Sequence, residues 1–535
     1  MMSNVFLIGM VISMIAYIVI GFIISKGVKN TSDFFVAGRR APTFLLVGSL
    51  VASYCGTGLY FGDAGESFAG IFSPLMMLGA MLIVGYVLGG VFFGRFLRRS
   101  ECSTIPEFFG KRFNSPALRK LAAVTQLVTI IVYLLSTIQG IGTLMSLVTG
   151  LDYKLCIILA LITFSLLTVT SGSKGVLITD TIMFGLFTVV TVVVIFICTS
   201  KGGGWFNIVE NLAQTKPEIL SWAGDPDYLY PTGGQNMVWA FAYGIVWMSV
   251  CMVAPWQASR YLMAKNEHSV IRSSIWAAFF VFVLEFIVKC GAALLNHFSP
   301  ELADQSHIII WATTNLVPTA LGAVMVTGIL AAGISSATTF LSIIGTTVVN
   351  DFFKPKENDA NHDRKKLNAV RIAVVVAAAI VMLLAYFNPP QVFWIMFLGA
   401  TVVACSWLPV CIASIWSKRV TKTGAFCGML CGFIGCGGMK IVASVAKLDL
   451  PVFLDPFFIG LAANLIGMTV GTLLTKVTPE EKKQREALFV IPEAEKDPKE
   501  IKKTKKTVLA SVILGAVVTA VLIVFWVVPY TSNLN

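Results

Sequence analysis

Long apolar runs succeed one another along this chain, and the short connections between them carry most of its charge. Charged residues make up 13% of the 535 residues and hydrophobic residues 56%, whereas soluble domains carry about 25% charged residues. A helix needs about 20 apolar residues to cross the hydrocarbon core of a bilayer. The pattern therefore predicts an all-α polytopic membrane protein and excludes a string of soluble domains.

We predict fourteen transmembrane spans. In chain order they are Asn4–Ser25, Thr43–Gly70, Ile71–Leu97, Leu121–Thr149, Tyr153–Thr170, Gly175–Cys198, Met237–Met263, Val270–His297, Leu316–Val349, Leu367–Phe387, Gln391–Trp416, Gly424–Ala446, Pro456–Leu474 and Thr507–Val528. Two connections are longer than the others, at 199–236 and 475–506. The second is highly charged, and we expect a solvated linker or a surface helix there.

The basic residues predict the orientation of these spans. Of the 40 Lys and Arg residues, 34 lie in or beside one set of alternate connections, and four lie in the opposite set. Because cytoplasmic loops are enriched in basic residues, this split places both termini outside the cytoplasm. We expect a multi-pass protein of the plasma (inner) membrane. The net charge of +12 then sets topology, and we expect no nucleic-acid partner.

Several sequence motifs of enzymes are missing from the chain. It contains no GxxxxGK[ST] phosphate loop, no HExxH zinc motif and no GxSxG nucleophile elbow. Cys427 and Cys431 share a helix face, but no His or carboxylate accompanies them as a metal ligand would require. We therefore expect a transporter or channel rather than an enzyme, with no cofactor and no transition metal.

Two spans contain helix-breaking residues at their middle or in their second half. Gly56, Gly58 and Gly62 weaken the second span, and Pro255 interrupts the seventh. Unwinding would free backbone carbonyls to bind a cation, although a glycine-lined packing face explains the second span about as well. The seventh span comes five spans after the second, and because five is odd the two have opposite orientations, as in transporters built from inverted repeats.

The ninth span carries a stripe of hydroxyl groups. At 3.6 residues per turn, one helix face combines Ala332, Ser335, Ser336 and Thr339, with Thr338 and Ser342 on its flanks. Adjacent hydroxyls supply oxygen ligands to a hard cation without burying net charge. Hydroxyls also stabilise helix packing in membranes, but their density here favours a sodium site.

Charged residues within the spans have two interpretations each. Asp180 in the sixth span is either a cation or proton ligand, or an acid at a helix N-terminus near the headgroups. Glu285 and Lys289 are four residues apart, and we expect a structural ion pair near the outer interface. Asp63 and Glu66 line an outer vestibule or are simply solvated.

Five stretches of sequence resemble one family of transporters. They are S-D-F-F-V-A-G-R-R (Ser32–Arg40), S-T-I-P-E-F-F-G-K-R-F (Ser103–Phe113), I-T-D (Ile178–Asp180), L-A-A-G-I-S-S (Leu330–Ser336) and W-S-K-R-V-T-K-T-G-A-F-C-G-M (Trp416–Met429). The chain is similar through them to the sodium/solute symporter family, whose members transport proline, pantothenate, sialic acid and sugars.

The resemblance implies a leucine-transporter-like core of five plus five helices in an inverted repeat, formed by spans two to six and seven to eleven. One extra helix and the first cytoplasmic loop then occupy residues 1–42. The first repeat with its extracellular loop covers 43–235, and the second repeat covers 236–416. Three C-terminal helices occupy 417–535, with the charged linker at 475–506.

The resemblance also implies site residues. The sodium site maps to Ala52, Cys55, Ala332, Ser335 and Ser336, and a second sodium site maps to Asp180, Ser335, Thr338 and Thr339. The solute site maps to Tyr54, Thr57, Tyr60, Trp247 and Cys251, with Gln139 as a weaker candidate. No carboxylate or arginine stands among these solute candidates, so the sequence does not indicate the charge of the solute.

The function implied is secondary active transport that couples inward Na⁺ flux to the uptake of a small organic solute, namely an amino acid, carboxylate, vitamin or sugar. The expected partners are the solute, Na⁺ and the lipid bilayer, with no obligate protein partner. A proton-coupled symporter of the same fold is the alternative, and a non-transporting solute sensor ranks below it.

Overall fold

Helices account for the regular secondary structure of the described residues in the computed structural model. The described residues are 2–25, 31–225, 228–230, 232–353, 362–387, 391–448 and 450–529. The main helices are α1 (Met2–Ser25), α2 (Thr43–Tyr54), α3 (Phe72–Leu88), α4 (Pro116–Thr149), α5 (Tyr153–Lys201), α6 (Gly233–Val253), α7 (Pro255–Met263), α8 (Glu267–Leu294), α9 (Thr319–Thr347), α10 (His362–Phe387), α11 (Val392–Trp416), α12 (Lys422–Ala446), α13 (Pro456–Leu473) and α14 (Pro498–Leu522).

Shorter helical segments connect or extend the main helices. They are Thr31–Val36, Ala64–Glu66, Arg95–Ser100, Ile105–Arg112, Trp205–Thr215, Pro217–Leu220, Ile308–Asn315 and Pro479–Ala487, with π-helical turns at Gly58–Asp63, Ser67–Ile71, Gly89–Gly94, Val348–Phe352 and Ile523–Val527, and 3₁₀ turns at Ala37–Arg39, Leu295–Phe298, Gln305–His307, Val452–Leu454 and Glu493–Glu495. Between described residues, one isolated bridge joins Ala41 and Ala264.

The sequence sets where these helices begin and end. The Ser115 hydroxyl accepts a hydrogen bond from the Leu118 amide at 3.2 Å, and Pro116 is the first residue of α4. Both features are favoured at helix N-termini. At the other end Gly150 has a φ of 74°, a left-handed conformation that stops the helix at little steric cost.

Twelve helical stretches of the described chain are long and apolar enough to cross a membrane. The prediction of an all-helical polytopic protein is therefore confirmed, whereas the count of fourteen spans is not. The second and third predicted spans share the stretch Gly58–Ser100, and α2 and Tyr153–Val169 are shorter apolar helices. The predicted orientation of the termini stays a prediction, and residues 1 and 530–535 lie outside the described residues.

The predicted interruptions of the second and seventh spans are confirmed. Helix α2 ends at Tyr54, and the chain turns at Cys55, whose ψ of 62° is not helical. Ala254 is extended, with φ −61° and ψ 142°, and separates α6 from α7 at Pro255. A third interruption lies at Gly172 inside α5, so that this single element contains the fifth and sixth predicted spans.

Helix α9 lies at the centre of the molecule. It packs against α1, α2, α4, α5 and α10, and every residue from Gly328 to Thr347 is buried. In contrast, α14 packs mainly along α8 and exposes most of its apolar side chains, as expected for a lipid-facing helix. The oxygen-rich stripe of the ninth span is therefore enclosed by protein.

The charged linker at 475–506 contains a docked surface helix. In Pro479–Ala487, Thr478 and Glu481 form a capping box, in which each side chain accepts a hydrogen bond from the other residue's amide. The Glu481 carboxylate also accepts from the Lys422 amide at 2.6 Å, at the start of α12. Arg112 donates to the Glu481 carbonyl at 3.0 Å. Glu481 is fully buried and thus attaches the linker to the helical core.

If Glu481 attaches the linker, its removal should let the helix Pro479–Ala487 open locally. Glu481→Ala removes both acceptor contacts, and loss of a helix cap costs about 1–2 kcal/mol. We expect Pro479–Ala487 to exchange amide hydrogens about 5–30 times faster, while exchange in α9 is unchanged. Glu480→Ala is the matched control, because Glu480 is the adjacent residue in the same helix and its carboxylate is exposed. Equal exchange in the two variants would contradict the docking role of Glu481.

Candidate functional site

The break in the second span frees one backbone carbonyl inside the molecule. In an uninterrupted helix the Gly56 amide would donate to Ala52 O. Here it donates to Tyr54 O at 2.8 Å. The Ser336 hydroxyl takes the vacated position and donates to Ala52 O at 3.4 Å. A side chain on Gly56 would place its Cβ 2.6 Å from Ser336 Oγ, so only glycine permits this approach.

The residues predicted for the sodium site surround this contact. The Ser336 hydroxyl also lies 3.2 Å from Ala332 O, one turn earlier in α9. Ala52, Cys55 and Ala332 are fully buried, and Ser336 is nearly so. Cys55 stands at the break itself. The geometry therefore gathers hydroxyl and carbonyl oxygens from α2 and α9 in one buried place.

Asp180 is buried at the same interface, beside an arginine. Its Oδ1 accepts from the Ser335 hydroxyl at 2.6 Å, and its Oδ2 accepts from the Ser49 hydroxyl at 2.5 Å. Arg260 Nη2 lies 3.4 Å from Oδ2 and also donates to the Thr339 hydroxyl. Asp180 lies in α5, eight residues after its interruption at Gly172, and is fully buried, so protein groups surround its carboxylate. Its depth in the membrane and its role as a cation or proton ligand stay predictions.

The cluster around Asp180 contains the residues predicted for a second sodium site. Asp180, Ser335 and Thr339 meet there, and Thr338 donates to the backbone oxygen of Ser335 at 3.1 Å. The guanidinium of Arg260 contacts two of the four. A fixed positive charge therefore already stands beside the carboxylate.

The predicted solute residues fall into two groups. The rings of Tyr54 and Trp247 meet edge to face, with centroids 5.7 Å apart, and Cys251 adjoins them through Tyr86. Thr57 instead donates to Thr137 O in α4 at 3.4 Å.

Tyr60 belongs with Thr57 in the second group, since its hydroxyl lies 2.8 Å from that of Thr191 in α5. The weaker candidate Gln139 accepts a hydrogen bond from the Gln391 amide at 3.2 Å. The structure thus brings together Tyr54, Trp247 and Cys251, and it directs Thr57 and Tyr60 to other helices.

A cluster of three charged residues adjoins Tyr54 through Glu285, and none of the three is among the predicted solute residues. The Tyr54 hydroxyl donates to Glu285 Oε1 at 2.5 Å. Lys289 Nζ lies 2.8 Å from Glu285 Oε2 and 3.4 Å from Asp63 Oδ2. The predicted Glu285–Lys289 pair is present, and Lys289 is fully buried among protein groups. Its position near the outer interface stays a prediction. The sequence indicates no carboxylate among the solute candidates, whereas in the structure Glu285 contacts one of them, Tyr54.

Two cavities lie at opposite ends of the candidate site. The larger has a volume of about 250 Å³ and is lined by Gly62, Glu66, Tyr228, His307 and Phe393, among others. We call it the vestibule. The smaller, of about 20 Å³, includes Ser259, Arg260 and Ser342 in its lining. Gly62, which lines the vestibule, is adjacent in sequence to Asp63 of the charged cluster at Lys289.

Comparison with known proteins identifies the family of the chain. A family model described as "Sodium:solute symporter family" matches residues 34–432. The sodium/pantothenate symporter of Escherichia coli is 22% identical, over 88% of this chain and 98% of that protein. The sodium/glucose cotransporter of Vibrio parahaemolyticus is 25% identical, over 85% of this chain and 87% of that protein.

A solved structure shows the same fold. It is the substrate-bound, outward-open state of a Na⁺-coupled sialic acid symporter, with a TM-score of 0.73 and 18% identity, over 90% of this chain and all of that one. The family and these relatives are membrane transporters and not enzymes. With most of its length matched by the family model, the chain belongs to the sodium:solute symporter family.

Proposed function

We propose that this protein couples inward Na⁺ flux to the uptake of a small organic solute across a plasma membrane, with both termini on the outer side. One observation carries the proposal: the Ser336 hydroxyl stands between the carbonyls of Ala52 and Ala332 at a break in a membrane helix. Oxygen atoms of this kind are the ligands that hard cations prefer.

The arrangement gives Na⁺ a structural effect. Ala52 belongs to α2, whereas Ala332 and Ser336 belong to α9. An ion held by oxygens of both helices fixes the broken end of α2 against α9. Ser335 and Cys55 complete the proposed ligand set. Loss of the ion releases the turn that contains Tyr54, and this links the ion to the solute position.

The driving force of one ion is sufficient for accumulation. One positive charge crossing about 100 mV contributes about 2.3 kcal/mol, and a tenfold Na⁺ gradient contributes about 1.4 kcal/mol. Together they support accumulation of a neutral solute by a few hundredfold. Proton coupling is the second candidate, and the observation that favours it is the buried carboxylate of Asp180.

The first test compares two buried serines, one in α9 and one in α8. Ser336→Ala removes the hydroxyl between the two carbonyls, and a buried polar contact of this kind is worth about 1–3 kcal/mol. We expect the Na⁺ concentration for half-maximal uptake into proteoliposomes to rise about tenfold or more. Ser273→Ala, at a fully buried serine of α8 whose hydroxyl donates to Val270 O of its own helix, is the control and should leave that concentration unchanged.

Proton coupling predicts the opposite ranking. Uptake would then run on a proton gradient without Na⁺, Asp180→Asn would stop it, and Ser336→Ala would be mild. That result would remove the sodium assignment.

We also propose that a single Na⁺ is coupled to each solute. A second ion at Asp180 would have to share the carboxylate with Arg260, whose guanidinium already contacts Asp180 and Thr339. Both charges are buried, and a buried pair that is matched in charge has little need of a further cation. Arg260 therefore takes the place of the second ion.

The stoichiometry tests this role of Arg260. Arg260→Gln removes the positive charge and leaves Asp180 with oxygen neighbours, so we expect a second Na⁺ to bind and the Na⁺-to-solute ratio to rise from one to two. Arg260→Lys keeps the charge and should keep the ratio at one. The measurement is the flux of labelled Na⁺ per labelled solute in proteoliposomes. A ratio of two in the unmodified protein would refute the proposal.

A further inference from the structure

We infer that the transported solute carries a protonated or quaternary ammonium group, which binds at Glu285 beside the rings of Tyr54 and Trp247. The inference rests on the proposed function, since it names the class of solute for the same transport site. Three features of the structure support it: the charge of the Lys289 cluster, the aromatic rings beside Glu285 and one unpartnered donor.

The cluster around Lys289 contains two carboxyl groups and one ammonium group, a formal excess of one negative charge. Its ammonium group contacts Glu285 at 2.8 Å, Asp63 at 3.4 Å and the Leu75 carbonyl at 3.4 Å. A lysine has three N–H donors, so these contacts occupy all of them. In the part of the chain that the structure describes, no other basic side chain contacts either carboxylate.

Burial makes this imbalance consequential. Glu285 and Lys289 are almost entirely buried, and Asp63 is 7% exposed. A buried charge without compensation is strongly destabilising. The Asp180–Arg260 pair shows how the same protein balances a buried acid with one base. At Lys289 the second acid lacks such a partner, so a cation from outside stabilises the cluster.

The surroundings of Glu285 favour an organic cation. Tyr54, which donates to Glu285, packs edge to face against Tyr86 and Trp247, with centroids 6.3 and 5.7 Å away. Trp247 in turn packs against Phe397 at 5.5 Å. Ammonium groups bind against the faces of such rings, and Trp is the strongest of them. Na⁺ prefers a shell of oxygen atoms, which the break in α2 supplies.

An unpartnered donor points to a ligand at the same place. Trp247 is 2% exposed, and among the described residues its indole N–H has no hydrogen-bond acceptor. A buried tryptophan N–H usually finds a partner. A solute with an oxygen atom near its ammonium group would supply this acceptor. An amino acid, a betaine or an amino alcohol has this combination.

The helix packing leaves room for the acid. A Cβ on Gly79 in α3 would lie 2.4 Å from Glu285 Oε2 and 3.6 Å from Lys289 Nζ. The absence of a side chain there lets α8 bring both charges against α3. Asp63 lies at the end of the π-helical turn Gly58–Asp63, which follows α2. The cluster therefore forms where this turn, α3 and α8 pack together.

Matched pairs of compounds test the charge of the solute directly. Choline and dimethylbutanol differ only in a positive nitrogen against a carbon, and glycine betaine and dimethylbutanoate differ in the same way. Hexoses, pantothenate and sialic acid complete the panel. The purified full-length protein is tested for thermal stabilisation with and without Na⁺, and stabilising compounds are then tested for uptake into proteoliposomes.

We expect Na⁺-dependent stabilisation and uptake of an ammonium compound and not of its carbon isostere. Stabilisation only by uncharged or anionic compounds, or by none, would overturn the inference. If Na⁺ still drives uptake of such a compound, the proposed function stands and this inference alone fails. If no uptake depends on Na⁺, the proposed function fails as well. Transport of two Na⁺ ions without any solute would also overturn the inference. So would uptake of a neutral solute together with one proton.

Variants of the cluster locate the effect. Glu285→Gln keeps the shape of the side chain and the acceptor for Tyr54 but removes the excess charge. The concentration of the ammonium compound that gives half-saturation should therefore rise about tenfold or more. The preference over the isostere should disappear, while Na⁺ alone should stabilise the variant as before. Asp63→Asn removes the same charge from the other side and serves if Glu285→Gln does not fold. Glu218→Gln, at an exposed acid outside the candidate site, is the control, and a loss of preference there would contradict the assignment.

Discussion

An interrupted helix in a membrane leaves backbone groups without partners in a medium that supplies none, and the core of this protein is arranged around one such group. The Gly56 amide does not donate to the carbonyl of Ala52, and this carbonyl accepts a hydrogen bond from the Ser336 hydroxyl instead. The same glycine that interrupts α2 also admits α9, because a Cβ there would collide with Ser336. The break and its partner are therefore one feature, and the central position of α9 follows from it.

Buried charge is treated differently in two clusters of the molecule. Asp180 and Arg260 are matched in number, and hydroxyls of α2 and α9 satisfy the remaining acceptors. Asp63, Glu285 and Lys289 are not matched. Because an uncompensated buried charge is costly, the first cluster is stable without a ligand, and the second is stabilised by one. This difference separates a structural pair from a binding position.

Much of the fold follows from sequence patterns that act locally. The apolar runs, the glycines near Gly56 and the proline at 255 each have a direct backbone consequence, and the helices break where those residues stand. The hydroxyl stripe at Ser335 and Ser336 is equally local, since one helix face defines it.

Contacts between distant helices could not be predicted in this way. Glu285 and Lys289 form a pair that the spacing predicts, but its burial depends on Gly79 in α3. Tyr54 reaches Glu285 across 231 residues of sequence. The signal that was available was the presence of Asp63, Glu285 and Lys289 within or beside apolar spans, where charge is rare and functional.

The short distance along α2 between the proposed ion and solute positions gives the proposed coupling a simple physical form. Ala52 and Tyr54 belong to the same last turn of α2, so an ion at the proposed sodium site would order the residue that contacts Glu285. By reciprocity the solute then raises the affinity for Na⁺ by the same factor. The membrane potential acts on both cargoes, and a solute with one net positive charge gains a further 2.3 kcal/mol or so at about 100 mV. A zwitterion gains nothing from this term. The ammonium group of either solute can bind at the cluster, but the membrane potential drives the accumulation of a net cation more strongly than that of a zwitterion.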